Sequence, residues 1–579
     1  MPQLILAVAG DLDFGFDFDG LIKTDLAAGR KDEATSVVMQ PDGKIIVAGN
    51  ASNGNNHDYL IARFNSDGSL DGSFGTAGIV AANFGAEDYC SSVALQADGK
   101  IIVAGSAYVG NNFDFALARY NSDGSPDFSF GFWGRVTIDF NGSDDSANAV
   151  IIQQNGKIVA AGSAKLNNAP QFALARFNSD GSLDSNFNGD GKVITSVGVF
   201  SVADDVIQQS DGKIVAVGNV TTNNNYDFAV VRYNLNGFPD PKFDSDGIVV
   251  TDFLGFDDAA YSIAQQNDGK LIVAGSGGYI TSCFALVRYN PNGSIDQNFG
   301  SGGILLTPIG SSLSVINSVL VQPDGKIVAA GWGFSGVWWA FVMTRYNKDG
   351  SWDLNFGLYG EVITRIGNAN DVLNDTMLQP DGKIVAVGVA DKGFATQDFA
   401  LARYHSDFSG PCTYCDHFVG DTLPIGWSYS KPHWSLNQGN LVGSPTANKT
   451  EAIATEFLGC DLCTVETSMS TEGGRGNKVS LLTWYTNPEN YIEVIMSEET
   501  DRWLVRQHSG GRVVAKTKSR SPILPNSFYN VKVSSDGNEI RVTIDGVVLA
   551  TLHAFGTPNG TVGFRVKNTT ARFPFINVE

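Results

Sequence analysis

At 579 residues the chain is too long for one ordinary core, and a formal charge of −22 sets it against a polyanionic partner such as nucleic acid. No apolar run approaches the length of a membrane helix, so no membrane span is expected. The balance suits a protein outside the cell or on its surface.

The chain starts MPQLILAVAG. Leu4-Ile5-Leu6 followed by Ala7-Val8-Ala9 reads as the end of a secretory signal with an A-x-A site, so residues 1–9 are expected to be a truncated signal remnant. Secretion or surface display follows as the expected location.

From Gln40 onward one phrase recurs. The glycine of "DGK" or "NGK" falls at Gly43, Gly99, Gly156, Gly212, Gly269, Gly325 and Gly382, at intervals of 56 or 57 residues. A second phrase, "IARFN" in its first copy, follows each and carries Arg63, Arg119, Arg176, Arg232, Arg288, Arg345 or Arg403. A third phrase, "SLDGSFGTAGIV" in its first copy, follows only the first six arginines. Each unit reads as four strands: "TSVVMQ", then "KIIVAG" after a tight "PDG" turn, then "DYLIARFN", then "IVAANF". Four-stranded units in tandem predict a β-propeller. The missing third phrase lies at the other end of the domain, where Asp11–Leu26 aligns with Ser69–Phe84. The expected fold is therefore all-β, with a seven-bladed propeller over residues 10–408. Pairing of its two ends would leave no open edge at the seam.

"PDGKIVAVG", "FALARYN" and "NSDGSLDSNF" resemble the delta-60 repeats of bacterial extracellular propellers. The resemblance implies a secreted or surface propeller and assigns no ligand. Strand order puts the "PDG" and "NSDGSLD" turns on one, nearly uniform, face. The opposite face carries loops that differ between blades, where recognition usually resides. Blade 6 stands out there, with Trp332, Phe334, Trp338 and Trp339 as candidates for a ligand or partner contact.

Eleven residues before the repeat glycine stand Asp32, Asp88, Asp145, Asp258 and Asp371, with Ser201 and Ser314 in the other two blades. Five carboxylates could ring the channel mouth around a cation. Capping of backbone N–H groups explains them better. The "N-x-D-G-x-x-D" phrase resembles a calcium loop but lacks its donors and closing glutamate, and an Asx turn fits it instead. No metal and no cofactor is expected, with calcium as the one candidate. Cys90 and Cys283, single cysteines inside repeats, suit small buried apolar positions.

The period ends near Asp416. Residues 411–579 carry 16 acidic and 15 basic side chains, so almost all of the net charge belongs to the propeller. Alternating strands separated by turns predict an antiparallel β-sandwich over 418–579, after a cysteine-containing linker at 409–417. Phe418, Leu423, Pro424, Gly426, Trp427, Trp434, Gly439 and Leu441 resemble the opening strands of concanavalin-A-like (laminin-G-like) jelly rolls. That resemblance implies carbohydrate binding, with some relatives glycoside hydrolases. Candidate sugar contacts are Trp484, Tyr485, Tyr491, Glu493, Trp503 and Arg506, half of which must face the core by strand alternation. Glu466, Glu493, Glu498 and Glu499 form no compact catalytic pair. Cys412, Cys415, Cys460 and Cys463 read as two disulfides in an exported protein, with a four-thiolate zinc site as the alternative.

The functional expectation is a secreted or cell-surface, non-catalytic binding or adhesion protein whose partner is a carbohydrate or another surface molecule. A polysaccharide-active hydrolase with an accessory propeller, and a self-associating surface-layer or filament subunit, are the rivals.

Overall fold

The computed structural model describes residues 9–406 apart from 28, 223, 254, 279–281, 311–312 and 392–396, and the strands from 414 onward, with side chains for only part of the latter. Ala9–Asp407 and Phe408–Glu579 form separate compact units.

In the first unit, seven four-stranded antiparallel sheets follow one another. Blade 1 uses Asp32–Met39, Ile45–Ser52, His57–Phe64 and Ile79–Ala82, and the next five repeat the pattern. Blade 7 takes Asp371–Leu378, Ile384–Asp391 and Gln397–Tyr404 from one end of the domain and Leu21–Thr24 from the other. Leu21 lies opposite Ala402 and Thr24 opposite Phe399, so the N-terminal segment supplies the last strand of the last blade. The first strands of consecutive blades touch all the way round, which makes them the innermost ring.

The repeated phrase has two local causes. Gly43 and its six equivalents take φ between 80° and 87° at the turn, a region that favours glycine. The last glycine of "VAG" meets a β-bulge: the first strand gains a residue between Ala34 and Ser36, and the same shift recurs in each blade. The bulge pushes the Glu33 carbonyl onto Gly49, where a Cβ would overlap it. Polar bulged residues use the same distortion to reach the next blade. Asn148 donates to the Ala203 carbonyl at 2.9 Å, Asn317 to Leu373 at 2.7 Å, and Asn374, across the seam, to Ala34 at 2.8 Å.

The invariant arginine organises the rest. Arg63, Arg119, Arg176, Arg232, Arg288, Arg345 and Arg403 are each at most 6% exposed. They pair with Asp71, Asp127, Asp184, Asp240, Asp296, Asp353 and Asp13 at 2.6–2.8 Å. The lysine of each "GK" reaches the same carboxylate at 2.5–3.2 Å. Each guanidinium lies 4.4–4.8 Å from the ring centre of a phenylalanine, from Phe74 round to Phe16. Its remaining N–H donates to a turn carbonyl of the following blade: Arg63 to Ser122, Arg176 to Leu235, Arg345 to Ser406, and Arg403 across the seam to Ser66. Blade 7 takes its aspartate and phenylalanine, Asp13 and Phe16, from the N-terminal segment. Burial alone would raise Asp13, but Arg403 and Lys383 outweigh it and hold the carboxyl at about 2. The second aspartate of "N-x-D-G-x-x-D" is therefore engaged by two cationic side chains, while the first accepts the N–H of the serine two residues on, as Asp67 does from Ser69 at 3.0 Å.

Apolar side chains fill the spaces between blades. Between blades 3 and 4, Val159, Phe172, Phe187, Val206, Ala216, Val231 and Tyr233 form one buried cluster. Cys90 is 1% exposed and lies in the equivalent cluster of blades 1 and 2.

The second unit contains two antiparallel sheets. One runs through Ala452–Phe457, Thr561–Lys567, Lys478–Asn487, Asn490–Ser497, Arg502–Ser509 and Arg512–Arg520. The other includes Thr464–Thr471, Tyr529–Ser535, Glu539–Ile544 and Val547–His553. Tyr414–His417, expected in a linker, pairs as a strand with Phe575–Val578. Val479, Leu481, Val494, Val505, Val531, Val533 and Val542 are buried.

Truncating one partner of the seam clamp leaves a buried charge without its counterion. Arg403→Met is expected to cost about 3–5 kcal/mol in denaturant unfolding. Adding Asp13→Leu should restore much of that loss, and a double variant no more stable than the single one would refute the clamp's role.

Candidate functional site

The five aspartates expected around the channel mouth do not form one ring. Asp32, Asp88, Asp145, Asp258 and Asp371 are each at most 1% exposed and sit in separate blade junctions. Each accepts a backbone N–H from the loop that leads into its strand: Asp88 from Phe84 at 2.7 Å, Asp145 from Phe140 at 2.8 Å, Asp258 from Phe253 at 2.6 Å, Asp371 from Ile366 at 2.8 Å, and Asp32 from Leu26 at 2.8 Å. Capping keeps them off the channel. Burial pushes Asp145 and Asp88 up to about 6 and Asp258 and Asp32 to about 7, against the N–H bonds and with help from neighbouring carboxylates.

The innermost ring carries a belt of side chains after the bulge: Ser36, Ser92, Asp205, Ser262, Ser318 and Asp375. Each accepts an N–H from the following blade: Val93 to Ser36 at 3.3 Å, Val150 to Ser92 at 3.2 Å, Ile263 to Asp205 at 2.9 Å, Val319 to Ser262 at 3.1 Å, Thr376 to Ser318 at 3.2 Å and Val37 to Asp375 at 3.0 Å. Blade 3 has Ala149 there, and Val206 bonds Asp205 Oδ1 instead at 2.7 Å. Asp205 and Asp375 border the ring half-buried, and desolvation raises them to about 7 and 6.

Exposed aromatics occur on both faces. On the variable face, Trp332 and Trp339 pack on each other with centroids 4.6 Å apart. Both are half-buried, as is Phe334, and only Trp338 is exposed, at 40%. The face expected to be uniform holds a larger patch. In the loop between the third and fourth strands of blade 2, Phe128, Phe132 and Trp133 are 63%, 79% and 64% exposed. Their rings meet edge-to-face at 5.3 and 6.2 Å. Blade 6 repeats the pattern with exposed Leu354, Leu358 and Tyr359. Trp133 and Tyr359 hold φ of 56° and 59°, costly for bulky side chains. Aligning the third phrase position by position reveals these residues, because "GFWG" and "GLYG" stand where blade 1 has "GTAG". The turn frame is uniform, but the residues within it are not.

In the second unit, Trp503 is 1% exposed and packs edge-on to Tyr529 at 5.6 Å, so it belongs to the core and offers no face to a sugar. Glu493 is 4% exposed and lies opposite half-buried Arg506 in the sheet. The side chains of Trp484, Tyr485 and Tyr491 lie outside the described residues, as do those of Cys412, Cys415, Cys460 and Cys463.

Seven segments, 40–74, 96–130, 153–187, 209–243, 266–299, 322–356 and 379–407, match the family described as "Domain of unknown function (DUF5122) beta-propeller". These are β-propeller repeats. Six of the matches in the propeller run from the glutamine before the turn to the phenylalanine at the arginine, which is the span of the clamp. The seventh stops at 407, where Asp13 and Phe16 take over. No curated protein matches the chain. Among solved structures, a carbohydrate binding module CBM66 from Bacillus subtilis is 18% identical over 27% of this chain and 95% of its own, with a TM-score of 0.24. Bacteroides ovatus xyloglucan PUL GH43B is 12% identical over 85% and 97%, at 0.26. A Bacillus subtilis protein of unknown function with a galectin-like fold is 15% identical over 29% and 96%, at 0.25. At these scores the likenesses carry no argument about activity.

Stability is expected to peak near pH 4. Asp13 and Asp184 sit at about 2 in the fold against 3.8 in the free side chain. Their contribution is complete above about pH 4 and lost as pH falls toward about 2. Asp205 and Asp375 are raised, so the fold holds protons that the unfolded chain releases, and stability declines as pH climbs from about 4 to about 7. Denaturant unfolding across this range measures both limbs; a flat profile between pH 4 and 7 would contradict the second.

Proposed function

We propose that the protein is a non-catalytic binding protein, secreted or displayed at the cell surface, that holds carbohydrate or a carbohydrate-bearing surface. The observation that carries this reading is the trio Phe128, Phe132 and Trp133. Three large rings stand in solvent on a turn whose frame is fixed by the clamp of the same blade, with Asp127 paired to Arg119. One of them occupies a left-handed backbone position, so strain is tolerated to present an aromatic face. Exposed apolar patches mark interaction sites, and rigid aromatic rings cover the C–H face of a sugar at little entropic cost. The propeller's acidity favours a neutral or cationic glycan. The second unit, read as a concanavalin-A-like module tied by two disulfides, adds a second binding element in the same chain.

A glycan array probed with the full chain tests this. Saturable binding should fall at least tenfold in Phe132→Ala/Trp133→Gly, while the thermal midpoint stays level or rises, because glycine relieves the positive φ. Absence of glycan binding, or binding unchanged in that variant, would overturn the assignment of this patch.

A further inference from the structure

The aromatic trio of blade 2 and the apolar trio of blade 6 stand at repeat-equivalent positions. Phe128, Phe132 and Trp133 correspond to Leu354, Leu358 and Tyr359, counted from the clamp phenylalanines Phe130 and Phe356. All six side chains are 63–79% exposed.

Blade 1 builds the same turn without the bulk. Thr76, Phe132 and Leu358 donate their N–H to the carbonyls of Ile79, Arg135 and Glu361 at 2.8, 2.9 and 2.8 Å. Ala77, Trp133 and Tyr359 follow with φ of 55°, 56° and 59°. The carbonyls of Gly78, Gly134 and Gly360 then accept the N–H of the clamp arginines Arg63, Arg119 and Arg345 at 2.9–3.0 Å. The backbone therefore forms with small residues, and alanine suffices at the left-handed position. The large side chains of blades 2 and 6 meet no need of the turn, so their exposure points to a partner.

Spacing and chemistry narrow that partner. Blades 2 and 6 lie three apart in a ring of seven, on nearly opposite sides, and equivalent positions in like blades stand at one height above the face. Blade 7, which lies between them, holds Phe18 at the position of Phe132, 43% exposed. A short sugar at one trio leaves the other unused, whereas a flat surface meets both. The six side chains offer only the Trp133 indole N–H and the Tyr359 hydroxyl as donors, too few to orient one sugar as a pocket does. They suit the C–H faces of many aligned chains. Charge excludes acidic surfaces. On this face the turns and clamps of blades 1 and 2 set Asp42, Asp67 and Asp71, and Asp98, Asp123 and Asp127, against one lysine and one arginine each. Asp42 and Asp98 are 57% exposed. A second copy of this face, an anionic lipid surface or an anionic glycan would be repelled.

We propose that blades 2 and 6 together grip the flat surface of an insoluble, uncharged polysaccharide, one trio on each side of the ring. The inference rests on reading the blade 2 trio as a carbohydrate contact; it adds blade 6 and the physical form of the ligand. Two weak contacts on one rigid ring reinforce each other, because the second forms at the effective concentration set by the first.

Adsorption of the full chain to microcrystalline cellulose and to chitin particles, measured by depletion from solution, tests this. Saturable adsorption to at least one solid is expected. Phe132→Thr/Trp133→Ala and Leu358→Thr/Tyr359→Ala place the blade 1 residues in blades 2 and 6, so both variants should fold, with thermal midpoints level or raised. Each should weaken adsorption by at least about tenfold, and the quadruple variant should fall to background. Cellohexaose and chitohexaose in solution should bind at least about a hundredfold more weakly than the solid. No adsorption by the parent, or hexasaccharides bound as tightly as the solid, would overturn the proposal. Undiminished adsorption of the blade 6 variant would also overturn it, while the blade 2 reading would still stand or fall by the glycan array. Self-association of the parent that the quadruple variant loses would assign both trios to a second copy and overturn it as well.

Discussion

In every blade a buried arginine meets an aspartate whose carboxylate it shares with a lysine, a phenylalanine ring and a carbonyl of the next blade. A guanidinium can satisfy these together because its planar fork donates in several fixed directions while its face stays free to stack. The desolvation cost of burying it is met only when all partners are present. That condition explains why the second and third phrases travel together along the chain. It also explains why the carbonyl contact, the one partner outside the blade, sets the spacing to the neighbour.

The seam obeys the same rule. Arg403 lies near the end of the third strand of blade 7, but the chain beyond it contributes neither the aspartate nor the phenylalanine. Both come from the N-terminal segment, as Asp13 and Phe16, and Leu21–Thr24 follow them into the sheet. Ring closure therefore joins main-chain pairing to a buried ion pair. The belt of Ser36, Ser92, Asp205, Ser262, Ser318 and Asp375 repeats the principle at the inner wall, where six of the seven blades satisfy an N–H of the next.

Most of the propeller was legible because its constraints are local and repeated. The bulge was not, since it depends on how two strands twist together; yet it is the bulge that makes the last glycine of "VAG" obligatory. The acidic position was visible as a recurrence and capping was its better explanation, but only folding shows which loop N–H each aspartate accepts and that the five sit in separate blade junctions. The exposed aromatics were overlooked for a different reason. Phe132 and Trp133 look like core residues by composition, yet both stand in solvent on a turn where Trp133 takes a left-handed backbone. Trp503 is the reverse case, an attractive sugar platform by residue type that the sheet buries.

The sequence by itself determined the number of blades, their strand order and the exchange of the last strand, because a period of 56 or 57 residues and one displaced phrase leave few other ways to satisfy the backbone. Only the tertiary structure decided which side chains are available for function. Exposure, and the placement of each capping aspartate in its own blade junction, arise from how neighbouring blades pack, and no window along one chain segment contains that information.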